Sequence, residues 1–268
     1  MNKTRRPFLR SLCGLAAGVA VAGIIGIADA HADALANIQK SGTLRVAVPQ
    51  DFPPFGSVGT DLQPRGYDID MANLIGRELG VKVELIPVTS TNRIPFLTTG
   101  KADLVISSLG KNPDREKVID FSDAYAPFFN GVFGPEDEAV STVADLDGRI
   151  VGVTRGSVED LELTNIASPN VTIRRFEDNN ATISAYLTGQ VQFIATGNVV
   201  AAAVNDMTKL RRLSSKFLIK NSPCYVGLAK GEAALTEKVN TIIAKAKQDG
   251  SLNEIAERWL NAPLPADL

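Results

Sequence analysis

The sequence predicts an α/β protein built from two similar lobes. Three observations lead there. Apolar runs of strand length alternate with helical patterns through the first half of the chain, the same blocks then return in the same order, and the chain closes on a long helical tail. The composition is that of a globular protein: 268 residues, 44% hydrophobic and 22% charged, room for one large domain or two small ones.

In chain order, residues 1–30 stand apart from the fold. "MNKTRRPFLRS" is basic, Leu12 to Ala28 is apolar and rich in Gly and Ala, and "ADA" ends at Ala30. This is the layout of a signal peptide cleaved near Ala30, and the run is at the short limit for a membrane anchor. The stretch Thr4 to Arg10 is similar to the twin-arginine export motif, and a general export signal fits it equally well. Either route takes the product out of the cytoplasm. Cys13 leaves with the signal, so the mature chain keeps one thiol, Cys224, and no internal disulfide. Cys224 reads as a small buried hydrophobe in a strand. The single histidine, His31, falls at the new N-terminus. A Ser-His-Asp or Cys-His site, or a His/Cys metal site, is therefore excluded within one subunit, and no cofactor is expected. A net charge of −2 without a basic stripe gives no reason to expect nucleic acid.

The fold begins with a strand at 43–48, then a helix at 68–79 carrying Met71, Leu74, Ile75 and Leu79 on one face. A strand at 81–88, a short helix at 93–100 and a strand at 102–107 follow. Asn112 and Pro113 are an N-cap and a first helical residue. Arg115 then lies in a first helical turn, where a cation is on the wrong side of the dipole by about 0.3–1 kcal/mol. It needs something to hold. The pattern returns at 148–157 and 171–176, and 184–197 matches 95–108 nearly position for position, Gly189 meeting Gly100 and Gly197 meeting Ser108. Helices at 232–250 and 251–260 end the chain, with Trp259 assigned to packing. Asp68 and Asp70, at a helix start, read as structural acids that complement the dipole rather than as a catalytic or metal pair.

The stretch "GYDIDMANLIGREL" (66–79) resembles the hallmark of the family 3 extracellular solute-binding proteins, the polar amino-acid binders of ABC importers. Gly66, Tyr67, Asp68, Ile69, Asp70, Met71, Ile75, Gly76 and Leu79 fit it. "FPPFG", "DREKVIDFSDAY" (114–125) and the tail "QDGSLNEIAERWL" resemble the same family, in order along the chain. The resemblance implies a two-lobed periplasmic-binding-protein-like fold of type II, with two parallel-type sheets, flanking helices and a two-strand hinge. The crossings would lie near Ala126 to Phe133 and Phe217 to Tyr225. Lobe 1 would take 40–128 and 222–268, lobe 2 would take 132–218, and the ligand cleft would lie between them.

By the same resemblance, Arg115 forks onto the ligand's α-carboxylate, helped by the Ser108 hydroxyl and by close backbone approach at Gly110. From lobe 2, Ser157 caps a helix with Asp160 three residues on, and N–H groups near Val158 close onto the same anion. The family commonly has an acid for the ligand's ammonium where this chain has Gly197 and Asn198. Asn198 is then the weaker acceptor, and Asp51 the nearest carboxylate from lobe 1. Phe52 is an aromatic wall or lobe core. Arg93, in "VTSTNRIP", resembles the arginine by which acidic amino-acid binders hold a side-chain carboxylate. A second such arginine is replaced here by Pro49, which Arg155 would offset, so an acidic amino acid is weakly favoured.

The expected role is a periplasmic, monomeric binding protein that hands a small amino acid to an ABC permease in the inner membrane. A dehydratase-like enzyme of the same fold and a receptor's sensor domain are the rivals. The missing acid at Gly197 counts against the first. The lack of a second apolar span after the last helix counts against the second.

Overall fold

The computed structural model describes residues 34–268. Residues 1–30, expected to be a signal peptide and including the twin-arginine-like stretch, Cys13 and Ala30, and also His31, lie outside the described residues.

The first half runs α1 (Ala34–Ser41), β1 (Thr43–Pro49), β2 (Asp51–Phe52), β3 (Gly56–Val58), β4 (Pro64–Arg65), α2 (Tyr67–Leu79), β5 (Lys82–Val88), α3 (Arg93–Thr98), β6 (Leu104–Leu109), α4 (Pro113–Val118) and β7 (Ile119–Ala126). The second runs β8 (Phe129–Gly134), β9 (Ile150–Thr154), α5 (Val158–Ile166), β10 (Thr172–Phe176), α6 (Asn179–Leu187), β11 (Phe193–Gly197), α7 (Asn198–Met207) and β12 (Ser214–Asn221). β13 (Cys224–Ala229), α8 (Ala233–Gln248) and α9 (Ser251–Leu260) complete it.

Two five-stranded sheets result, in the orders β5-β1-β6-β13-β7 and β10-β9-β11-β8-β12. These are the same order with equivalent strands exchanged, so the repeat seen in the sequence is a repeat of topology. In the first sheet β1 runs parallel to β5 and β6, with Val46 opposite both Leu85 and Leu104. In the second, β9 runs parallel to β10 and β11, with Val151 opposite Ile173 and Phe193. The sheets are nevertheless mixed rather than wholly parallel: β13 is antiparallel to β6 and β7, and β8 to β11 and β12. Connectivity explains this. Only Pro127 and Phe128 separate β7 from β8, and only Ser222 and Pro223 separate β12 from β13. No helix turns the chain around at either crossing, as a parallel neighbour would require. Each crossing strand enters its new sheet at the cleft end and runs outward.

The core follows the apolar periodicity. Leu44, Val46, Leu104, Ile106 and Val226 lie under Met71 and Ile75 of α2, Ile242 of α8 and Leu252 of α9. In the second lobe Val132, Val151, Phe193 and Ala195 pack with Leu163, and Phe133 and Ile194 pack with Tyr186 and Val204. Helix α2 ends where Gly80 turns left-handed at φ 70° and donates its N–H to the last turn.

The two acids of α2 are structural, but not as caps. Asp70 Oδ2 accepts from Trp259 Nε1 and Arg258 Nη1, both at 2.8 Å, and so pins α9. Asp68 is fully buried and accepts from the Tyr125 hydroxyl at 2.6 Å and the Ser108 N–H at 2.7 Å. Cys224 is buried, in a strand.

Candidate functional site

The carboxyl ends of β1, β6, β9 and β11 and the first residues of β8 converge on one cleft, the usual ligand position in open α/β sheets. Pro49, Asp51, Phe52, Arg93, Ser108 and Gly110 line it from the first lobe. Asn130, Thr154, Ser157, Val158, Glu159 and Thr196 line it from the second, with Phe128 and Ser222 from the two crossings.

Arg93 sits at the start of α3 and is only 4% exposed. Its Nη1 donates to the Ser107 carbonyl, and its Nε has no partner. Glu159, in the first turn of α5, is 5% exposed and its Oε1 has no partner either. Burial pushes the Glu159 carboxyl up, against the pull of its own N–H, the Ser157 hydroxyl and the Arg93 and Arg115 charges. Burial likewise pulls the Arg93 guanidinium down. Among the described residues, the buried side-chain polar atoms without a partner are Arg93 Nε, Glu159 Oε1 and Asn130 Oδ1. All three residues line this cleft. Buried polar groups are otherwise nearly always bonded, so three orphans in one cleft mark a place prepared for a ligand.

Ser108 is held in an uncommon conformation, φ 40°, by its N–H bond to Asp68. Burial pushes the Asp68 carboxyl up to about 7, against its hydrogen bonds from Tyr125 and Ser108 and the Arg93 charge. Gly110 has no room for a side chain: a Cβ there would stand 2.4 Å from Ser222 Oγ and 2.9 Å from Val158 Cγ2. The two lobes meet at that glycine. Ser157 caps α5 by accepting from the Asp160 N–H at 3.1 Å, while Asp160 reaches back to the Gly156 N–H at 3.0 Å, one residue earlier than a capping box would have it.

Three expected site residues lie elsewhere. Arg155 points outward from the end of β9, with its side chain 46% exposed and paired to Glu177 at 2.9 Å; Gly156 (φ 72°) turns the chain just after it. Arg155 is therefore no cleft cation. Asn198 is exposed at the start of α7, where its Oδ1 accepts from the Phe129 N–H at 3.3 Å rather than facing the cleft. Arg115 is buried behind the cleft wall and answers its own sequence puzzle. Its Nη1 donates to the Gly110 carbonyl at 2.7 Å and its Nη2 to the Gly156 carbonyl at 2.9 Å, so it ties one lobe to the other. Burial, helped by the Arg93 charge, brings its guanidinium down to about 9.

Gly197 also has a physical account. A Cβ there would sit 2.1 Å from Phe128 Cζ, so the ring fills the space an acid would use. The second lobe's carboxylate comes from Glu159 instead. In the sequence the cap points to its neighbours Val158 and Asp160 and not to Glu159 itself. Its place two residues after the cap Ser157, in the turn facing the cleft, was the available signal. Asn130, Thr196 and Ser222 carry no motif and emerge only once β8, β11 and the second crossing are placed. A further tie joins the lobes: Asp51 accepts from the Asn179 N–H at 2.7 Å, at the first turn of α6.

Two lobes, two crossings and a cleft holding opposed buried charges define a two-lobed ligand-binding protein. Residues 44–262 match the bacterial extracellular solute-binding proteins, family 3, and the chain belongs to that family. The ABC transporter glutamine-binding protein GlnH of Bacillus subtilis (strain 168) is 27% identical over 237 residues, covering 87% of this chain and 86% of its own. The L-cystine-binding protein TcyJ of Escherichia coli (strain K12) is 26% identical over 258 residues, covering 94% and 96%. The crystal structure of the ancestral amino acid-binding protein AncCDT-1, a precursor of cyclohexadienyl dehydratase, superposes with a TM-score of 0.76 at 30% identity, covering 84% of this chain and 98% of that one.

Proposed function

We propose that the protein captures a neutral α-amino acid as its zwitterion and delivers it to the membrane permease of an ABC importer, after export to the periplasm and cleavage near Ala30. The observation that carries the ligand class is the pair of orphaned, buried, opposite charges on facing lobes, Arg93 and Glu159. Arg93 takes the carboxylate, with the charge of Arg115 behind it, and Glu159 takes the ammonium. Charge balance supports a neutral ligand. Arg93 and Glu159 offer one buried cation and one buried anion, each with an open hydrogen-bonding atom, so a zwitterion pairs both, whereas a charged side chain would bring a further charge that neither is free to pair. The preference for an acidic ligand rested partly on Arg155, which is committed to Glu177. Two relatives carry names for neutral amino acids, glutamine and cystine, and others are named for arginine, so the family accommodates both and the choice here rests on the cleft.

Titration calorimetry across a panel of amino acids tests the reading. Neutral amino acids should bind more tightly than glutamate, aspartate, lysine or arginine. Arg93→Ala and Glu159→Gln should each cost about 2–5 kcal/mol, roughly 30-fold to several thousand-fold in affinity. Preference for glutamate, with Glu159→Gln binding as well as wild type, would sink it. Because one relative is a precursor of a dehydratase, the bound molecule should also be recovered and weighed. A binding protein returns it unchanged.

A further inference from the structure

We propose that Asn130 selects the ligand's side chain by accepting a hydrogen bond from it, so that the preferred ligand carries a neutral side-chain donor, an amide or a hydroxyl. This rests on the zwitterion reading above and specifies the third substituent of that ligand. Asn130 lies on β8 just past the first crossing and is 1% exposed. It lines the cleft, and its Oδ1 has no partner although an amide oxygen has two lone pairs to fill. The orientation of the amide is set from behind. Its Nδ2 faces the Lys220 carbonyl on the neighbouring strand β12, at 3.5 Å. Turning the amide over would set two acceptor oxygens against each other. The vacant acceptor therefore belongs to the cleft side. The hydroxyls of Ser222 and Thr196 line the same cleft, and neither bonds to it.

With the α-carboxylate on Arg93 and the ammonium on Glu159, the side chain is the substituent left for the hinge side of the cleft, where Asn130 stands. Leaving a buried acceptor unpaired is costly, so a ligand that supplies a donor gains over one of equal size that cannot. A side-chain carboxylate would bring a third oxygen against Asn130 Oδ1 and is rejected for the same reason.

The test uses L-glutamine, L-methionine of similar length without a donor, and L-glutamate, titrated calorimetrically into the full mature protein. Wild type should bind glutamine at least about tenfold more tightly than methionine or glutamate. Asn130→Leu should bring glutamine and methionine within about twofold of each other. Asn130→Ser keeps a neutral oxygen that can donate to the Lys220 carbonyl or accept from the ligand, so it should retain part of the preference for glutamine over methionine, and it guards against a folding defect in the leucine variant. Two results overturn the inference. If neutral amino acids bind but Asn130→Leu leaves the glutamine-to-methionine ratio unchanged, Asn130 reads the ammonium or nothing, and the zwitterion reading stands without it. If no neutral amino acid binds to wild type, both fall.

Discussion

Arg93 and Arg115 are both buried cations, but they are held differently. Arg115 has both terminal nitrogens engaged by carbonyls, one from each lobe, whereas Arg93 keeps an unpartnered Nε in the cleft. Arg115→Ala should therefore weaken ligand binding less than Arg93→Ala, by about tenfold, through loss of a tie in the closed form and of a nearby positive charge. Its effect on the melting temperature without ligand should be small, since a guanidinium drawn down to about 9 by burial is itself costly to keep charged. A larger affinity loss at Arg115 than at Arg93 would mean that Arg115 turns onto the ligand and is the main anchor. Asp68 gives a prediction in pH. Its folded value of about 7 lies above the ordinary carboxylate range near 3.9, so the folded state binds the extra proton in between. Its contribution to stability is therefore largest below about pH 4 and is lost as pH rises to about 7, at up to about 1.4 kcal/mol per pH unit. Denaturant titrations of Asp68→Asn between pH 5 and 8 should lack that decline relative to wild type. Parallel profiles would show that Asp68 is charged in the fold throughout.

Among the elements, α9 is fastened to α2 at one carboxylate. Asp70 receives Trp259 Nε1 and Arg258 Nη1 on the same oxygen. Arg258 is 59% exposed, so most of the value lies in the bond from the half-buried indole. Asp70→Ala should cost on the order of 1–2 kcal/mol and change the emission of the chain's single tryptophan, with ligand affinity untouched. A drop in affinity would mean that α9 communicates with the cleft. The elements were also the part of the fold most legible in the sequence. Apolar spacing placed α2, and Asn112 with Pro113 started α4, where Asn112 Oδ1 does accept the Arg115 N–H at 2.8 Å. Strand direction was not legible at β8 and β13, because direction is set by how the chain crosses between lobes, not by side-chain period.

At the scale of the whole molecule, the site divides along the same line. The cap of Ser157 could be read from a local motif, while Ser108 and Gly110 were placed at the cleft through the family resemblance, and all three line it. Glu159 and Asn130 could be read from neither, since their meaning depends on which lobe faces which. Arg155 and Asn198 lie near the cleft in sequence but turn from it, Arg155 to Glu177 and Asn198 to the Phe129 N–H, and neither partner is marked by a local motif. The closed arrangement also has its own prediction. Asp51 of the first lobe bonds the Asn179 N–H of the second, beside the bridge made by Arg115. Asp51→Ala should shift the ligand-free protein toward an open form, with a larger radius of gyration in small-angle X-ray scattering and a proportionate loss of affinity. Lower affinity with an unchanged radius would make Asp51 a ligand contact instead.

The Asp51 bond has one more consequence. The Asn179 amide is the first of α6, a position with no acceptor inside its own helix, and its acceptor is a carboxylate 128 residues away on the other lobe. Its proton is sheltered from deuterium only while the lobes are shut. In hydrogen exchange read amide by amide, the slowing of this one proton therefore counts the fraction of time spent closed. Interior amides of α6, bonded within the helix, exchange independently of closure and serve as the internal clock.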